Sequence, residues 1–237
     1  MKNLDLSLCL DDLRLETRAA MDRARAMGFH AIDVSAVEGP VSPGELSRTG
    51  QRHLIKHLSD LGLRLSSFRG PAGGAGYADS GSGERRLESM RKIMDLASAL
   101  RVPTVSTTLG GSGGLSPDDR AARYRETLSI LADDADRKGV IVTIETAGLT
   151  TAELSKLLAE INCPQLAACC DSGEMLMHGE DPHRVADVLA GRVGLVQARD
   201  AVSGSPQAAG HEVAQGEGSL DAPRSWQPWP KRASKAT

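Results

Sequence analysis

Aromatic side chains are almost missing from this chain, with two Phe, two Tyr and two Trp making up 3% of its residues. Hydrophobic residues still reach 40%, so the core must come mostly from Leu, Val, Ile and Ala, a mixture that suits helices laid on a sheet. No run approaches the ~20 apolar residues of a membrane span. The amino-terminal MKNLDLSLCLDDL is interrupted by Asp5 and Ser7, and neither export nor membrane insertion is expected. Positive charge is not in excess: 28 Lys and Arg against 31 Asp and Glu leave a net charge of −3. Such a balance gives no field to draw nucleic acid or anionic lipid, and favours a small-molecule partner. The four cysteines, Cys9, Cys163, Cys169 and Cys170, form neither a C-x-x-C pair nor a disulfide framework. Reduced thiols in a cytoplasm are the simpler reading, so a cytoplasmic location is expected. The loop Gly110-Gly111-Ser112-Gly113-Gly114 lacks the G-x-x-x-x-G-K-[ST] arrangement, which leaves it a flexible connection rather than a phosphate cradle.

What the sequence does contain is alternation. Strand-like runs cover Leu4 to Leu10, Ala31 to Val34, Leu63 to Phe68, Val102 to Thr107, Ile141 to Glu145, Leu166 to Asp171 and Val193 to Ala198. Helical patterns lie between them: Glu16 to Met27, Val41 to Leu61, about Glu84 to Leu100, Ser116-Pro117 through Lys138-Gly139, Thr151 to Ile161, and Asp181 to Leu189. At 237 residues the chain falls in the range of a single (β/α)₈ domain, about 250 residues. The expected fold class is α/β, a parallel TIM-type (β/α)₈ barrel, with an open doubly wound sheet as the alternative. After Asp221 the chain reads APRSWQPWPKRASKAT, and no eighth strand can be drawn from it. The barrel is therefore expected to be incomplete at its C-terminus, with residues 1–221 as the barrel domain and 222–237 as a Pro- and Trp-containing tail. Strands one and seven would then keep unpaired edges, and with Trp226 and Trp229 nearby in sequence this motivates a homo-oligomer.

Three strands end on polar residues at equal intervals: VIVTIE at Glu145, LAACCD at Asp171 and VGLVQ at Gln197. Barrel chemistry gathers at the carboxyl ends of strands, which makes these the first candidates for a site. Asp171 has a structural alternative, since it precedes Ser172-Gly173 and can cap the next helix. Glu145 closes an apolar run and is harder to explain away. Arg69, ending strand three, and Arg199 are candidates for an anionic substrate group, or equally for rim salt bridges. His178 is a candidate substrate contact, although a solvated loop position is the plainer reading, and His183 reads as part of the following helix start. His53 and His57 have a metal-ligand spacing, yet no Cys or carboxylate is arranged beside them, and an exposed helix face explains them.

Taken in order, MGFHAIDV, LSDLGLRLSSFRGP, VTIETAG, CCDSGEMLMHGEDP, LVQARD and GEGSLD make the chain similar to the xylose-isomerase-like (β/α)₈ superfamily, the sugar phosphate isomerase/epimerase group, over roughly residues 4–221. The resemblance implies one divalent metal held by a Glu from strand five, an Asp from strand six, a His from strand seven and a Glu from strand eight. Glu145 and Asp171 match the first two. Gln197 stands where the motif H-x-[KR]-D has His, with Arg199 and Asp200 in register, and Glu174 stands where D-x-x-H has His. The fourth ligand has no counterpart. Two carboxylates and an amide oxygen suit Mg²⁺ or Mn²⁺ better than Zn²⁺. The implied activity is metal-assisted isomerisation or epimerisation of a sugar or sugar phosphate through an enediolate, with Glu145 as acid/base group and Glu174 as the candidate for a second. Gln197, Glu174 and the missing strand favour the alternative of a non-catalytic barrel kept for binding or structure. A DNA-repair reading of the endonuclease IV kind would need histidines at strand ends, where Arg69, Thr107 and Gln197 stand.

Overall fold

The computed structural model describes residues 6–74, 76–79, 81–111, 114–146, 149–189, 191–204 and 210–220. Seven strands form one parallel sheet: β1 (Ser7–Cys9), β2 (Ala31–Ser35), β3 (Arg64–Arg69), β4 (Thr104–Thr108), β5 (Ile141–Glu145), β6 (Leu166–Asp171) and β7 (Val193–Gln197). Each strand pairs with the next in sequence, and the sheet curls into an incomplete (β/α)₈ barrel. Helices α1 (Thr17–Ala26), α2 (Arg48–Leu61), α3 (Gly83–Leu100), α4 (Pro117–Lys138) and α5 (Thr151–Ile161) fill the crossovers. Strands β4 and β6 are buried along their whole length, as expected of parallel strands covered on both faces.

Local chemistry fixes the helix ends. Ser116 Oγ accepts the Asp119 N–H at 3.2 Å with Pro117 in the first turn, and Gly139 at φ 65° ends α4. A capping box between Thr150 and Glu153 starts α5. Phe68, Met90, Ile93, Met94, Leu128, Leu131, Ile144 and Leu154 are fully enclosed in the core. Each contributes roughly 1.5–3 kcal/mol by leaving water. Tyr124, equally buried, donates its hydroxyl to the Gly110 carbonyl at 2.7 Å and ties down the loop after β4.

Two helical expectations need correction. Helix α2 begins at Arg48, not near Val41, because Ser47 is the residue whose hydroxyl receives an N–H, that of Gly50 at 3.2 Å. Ser42-Pro43 instead starts a turn in which the Glu45 and Leu46 N–H groups return to the Ser42 carbonyl. In place of one helix over Asp181 to Leu189 there is a 3₁₀ turn, Pro182–Arg184, running into the short α7 (Val185–Val188). A helix that the periodicity did not show, α6 (Ser172–Met177), follows β6 directly.

Beyond β7 an antiparallel pair, β8 (Asp200–Val202) and β9 (His211–Val213), lies against α6. Its anchor is Asp200, whose carboxylate accepts N–H groups of Ala201, Gly216, Gly218 and Leu220 at 2.9–3.0 Å. Burial lifts this carboxyl, but the four donors outweigh it and leave the group below its ordinary pKa. Ala201 and Leu220 pack with Leu176 and Met177 in a small second apolar cluster. Among the described residues β1 and β7 have no partner on their outer edges; the tail, Trp226 and Trp229 lie outside those residues. No helix of the described chain is long and apolar enough to cross a membrane.

Candidate functional site

The strand ends of the curled sheet carry two groups of polar residues. On β5 to β7, Glu145 is partly buried and accepts a hydrogen bond from Gln197 Nε2 at 3.1 Å. Burial pushes its carboxyl above the usual range and the Asp171 charge adds to that, while Ser106, Gln197 and the Arg69 charge act in the opposite direction. Glu145 closes β5 and Asp171 closes its neighbour β6.

Asp171 is held differently. Arg199 Nε lies 3.0 Å and 2.8 Å from its two oxygens, and Arg199 Nη2 lies 2.6 Å from Oδ2. Oδ1 also accepts the Glu174 N–H at 3.0 Å, so Asp171 is the N-cap of α6, the structural role open to it in the sequence. Gly173 allows the approach, since a Cβ there would lie 2.9 Å from Arg199 Cβ. Arg199 also reaches Glu212 at 2.7 Å and stands 3.7 Å from Glu174. His178 is exposed, with Nδ1 at 2.9 Å from the Glu174 carbonyl and 3.6 Å from its carboxylate. Glu174 and His178 share the wall of a cavity of about 270 Å³ with Thr146, Leu149 and Met175. A larger groove of about 770 Å³, beside α3, is lined by none of the strand-end candidates.

The second group lies on β2 and β3. Asp33 is 8% exposed and accepts a hydrogen bond from Ser67 Oγ. Arg69 pairs with Asp11, and its Nε lies 2.9 Å from Asp33 Oδ1 without aiming a hydrogen at it. Burial pushes the Asp33 carboxyl up to about 6, against the pull of Ser67 and Arg69. Cys169 is fully buried on β6, where burial raises its thiol first and the charges of Glu145, Asp171 and Asp33 raise it further. Sequence reasoning missed Asp33, which sits in the middle of AIDVS and not at its end, so the strand-end signal that singled out Glu145 does not reach it.

As they stand, these side chains do not fit a divalent cation. Both Asp171 oxygens are engaged by Arg199, whose positive charge occupies the space beside them. Gln197 turns its amide nitrogen to Glu145. No group of three or more His, Cys, Asp or Glu among the described residues is arranged to hold a metal ion.

Among solved structures, a xylose isomerase domain protein from Planctomyces limnophilus superposes with a TM-score of 0.77 at 19% identity, over 92% of this chain and 82% of that one. A D-allulose 3-epimerase from Methylomonas sp., in complex with D-allulose, gives 0.69 at 19% identity over 88% and 71%. A xylose isomerase-like TIM barrel protein from Mycobacterium smegmatis, in complex with magnesium, gives 0.64 at 18% identity over 86% and 74%. Identities this low establish the fold alone. No sequence among the curated proteins matches the chain. The family profile described as xylose isomerase-like TIM barrel matches residues 21–225, and the chain belongs to that family.

Proposed function

We propose that the chain is an isomerase or epimerase of a sugar or sugar phosphate, in which Glu145 carries a proton between carbons of a hydroxy-carbonyl substrate. The observation that supports this most is the state of Glu145: a carboxyl at the end of β5, raised by burial and held in orientation by Gln197. A base with a raised pKa is matched to removing a weakly acidic C–H proton near neutral pH. Removal gives an enediolate whose oxygen needs positive charge or a proton nearby, and Arg69 is the cation that Glu145 senses. Return of the proton to the neighbouring carbon, with the hydroxyl proton passing from one oxygen of the enediolate to the other, completes an isomerisation with one base. The sugar-binding and magnesium-containing relatives favour a carbohydrate ligand and a metal-assisted route. The donor set of this chain argues for Arg69 and Arg199 as the positive groups instead, so no step is assigned to Mn²⁺ or Mg²⁺. Glu174 and His178, beside their cavity, are proposed substrate contacts rather than a second base. Four free cysteines suit a reducing compartment such as the cytoplasm.

A second reading, a barrel that binds a polyol without turning it over, draws on one observation: Asp171 is tied to Arg199. A panel of aldoses, ketoses and their phosphates, assayed with the wild type and Glu145→Gln, separates the two. Turnover that the variant loses supports the enzyme, whereas ligand-induced stabilisation without turnover supports the binder.

A further inference from the structure

We infer that the hollow between the start of α5 and α6 selects a sugar that carries no phosphate, and that Glu174 is the residue that makes the selection. This deepens the proposed isomerase reading and rests on it. The hollow holds about 270 Å³ and adjoins the strand ends at two points. Thr146, the residue after Glu145, lines it, and Glu174, also in its wall, stands 3.7 Å from the Arg199 that holds Asp171. Leu149 and Met175 supply apolar wall for the C–H face of a sugar. Three carboxylates, Glu153, Glu174 and Glu180, line the hollow with His178, and no Lys or Arg among the described residues does. Two of the three are committed to the fold. Glu153 accepts the Thr150 N–H and hydroxyl at 2.8 Å and 2.9 Å, and Glu180 accepts the Thr151 N–H and hydroxyl at 3.1 Å and 2.6 Å. The Glu174 carboxylate, 26% exposed, accepts no hydrogen bond among the described residues and has only His178 at 3.6 Å and Arg199 at 3.7 Å beside it.

The two strand-end arginines do not offset this negative charge. Arg69 pairs with Asp11 and lies 2.9 Å from Asp33, while Arg199 faces Asp171, Glu212 at 2.7 Å and Glu174. Each guanidinium already meets at least two carboxylates. Its remaining N–H groups can serve the single charge of an enediolate oxygen. A phosphate monoester brings about −1.5 to −2 charges at neutral pH and needs positive charge that is not already compensated. A free sugar brings hydroxyl donors, which a carboxylate accepts in charge-assisted bonds. Position 174 decides between them because an anion that only accepts hydrogen bonds stands where D-x-x-H has a ring able to donate one. The wrong ligand is repelled by the same group that holds the right one.

The test compares wild type, Glu174→Gln and Glu174→Lys, with D-allulose, D-fructose, their 6-phosphates and inorganic phosphate as probes. Binding is read by calorimetric titration and turnover by NMR, so that selection and catalysis are measured apart. Wild type is expected to bind each free ketose on the order of a hundredfold more tightly than its 6-phosphate, the size that like charges within one small site produce, and to show no saturable binding of inorganic phosphate. Glu174→Gln should reduce that preference at least roughly tenfold, and Glu174→Lys should abolish or reverse it. The backbone N–H of residue 174, not its side chain, meets Asp171 at the start of α6, so both variants keep that cap; if Glu174→Lys does not fold, wild type and Glu174→Gln decide. A wild type that prefers the 6-phosphates or binds inorganic phosphate overturns the selection and leaves the isomerase reading standing. A preference that both variants retain in full removes Glu174 from the role. Binding of the free ketoses in preference to their phosphates without any turnover supports the selection and removes the isomerase. If wild type neither binds nor turns over any probe, both fall.

Discussion

Arg199 closes on Asp171 across 28 residues of sequence, with Nε 2.8 Å and Nη2 2.6 Å from the same carboxylate oxygen. The contact turns a strand-end carboxylate into one half of an ion pair and the cap of α6. Asp171 is 5% exposed and Arg199 33%, so removing the arginine leaves a buried charge that, among the described residues, only the Glu174 N–H meets. Arg199→Ala is expected to cost about 2–4 kcal/mol in urea denaturation, somewhat below the figure for fully buried pairs because of the guanidinium's exposure. Adding Asp171→Asn should recover much of the loss. A cost under about 0.5 kcal/mol would class the contact with ordinary surface pairs.

The same contact carries an expectation about metal. With both Asp171 oxygens engaged and a guanidinium beside them, the wild type is expected to show no saturable uptake of Mn²⁺ at micromolar concentration by electron paramagnetic resonance. Saturable uptake that Glu145→Gln abolishes would return the site to the metal-binding pattern implied by its relatives.

Asp33 gives stability a specific pH dependence. Its carboxyl is raised in the fold from 3.8 to about 6, chiefly by burial. The folded state therefore holds a proton that the unfolded chain releases, and this contribution is complete below about pH 4 and lost as pH rises through 6. The loss amounts to about 3 kcal/mol at most. Comparing denaturation at pH 5 and pH 7.5, Asp33→Asn should lose less stability over that interval than wild type. Equal losses would mean that Arg69 keeps Asp33 ionised in the fold.

Both edges of the sheet bear on assembly. β1 is half-exposed along its length and β7 at alternate positions, and neither has an outer partner among the described residues. Unpaired edges are templates for association, so a dimer or larger species is expected in sedimentation at micromolar concentration, and a monomer would contradict it.

Much of this architecture was legible because parallel strands covered on both faces read as unbroken apolar runs. The ends of β5, β6 and β7 emerged from VIVTIE, LAACCD and VGLVQ, and α4 and α5 from their caps and apolar stripes. Where local patterns compete, reading failed. Ser42-Pro43 looks like a helix start yet forms a turn, and six residues of α6 are too few to show a period. Asp171-x-x-Glu174 did hold a capping signal for α6. The pairings Arg199 with Asp171 and Arg69 with Asp33 join residues far apart in sequence. No spacing rule reveals them, and the β8–β9 pair depends likewise on N–H groups that the fold brings to Asp200.

The central claim, that Glu145 transfers a carbon-bound proton, is tested most directly by following solvent deuterium into ketose and aldose probes by proton NMR. Wild type is expected to place deuterium on the carbon next to the carbonyl, and Glu145→Gln, folded as judged by its thermal transition, to slow that exchange at least a hundredfold. Exchange that continues unchanged in Glu145→Gln, or a wild type that binds the probes and exchanges nothing, would contradict it.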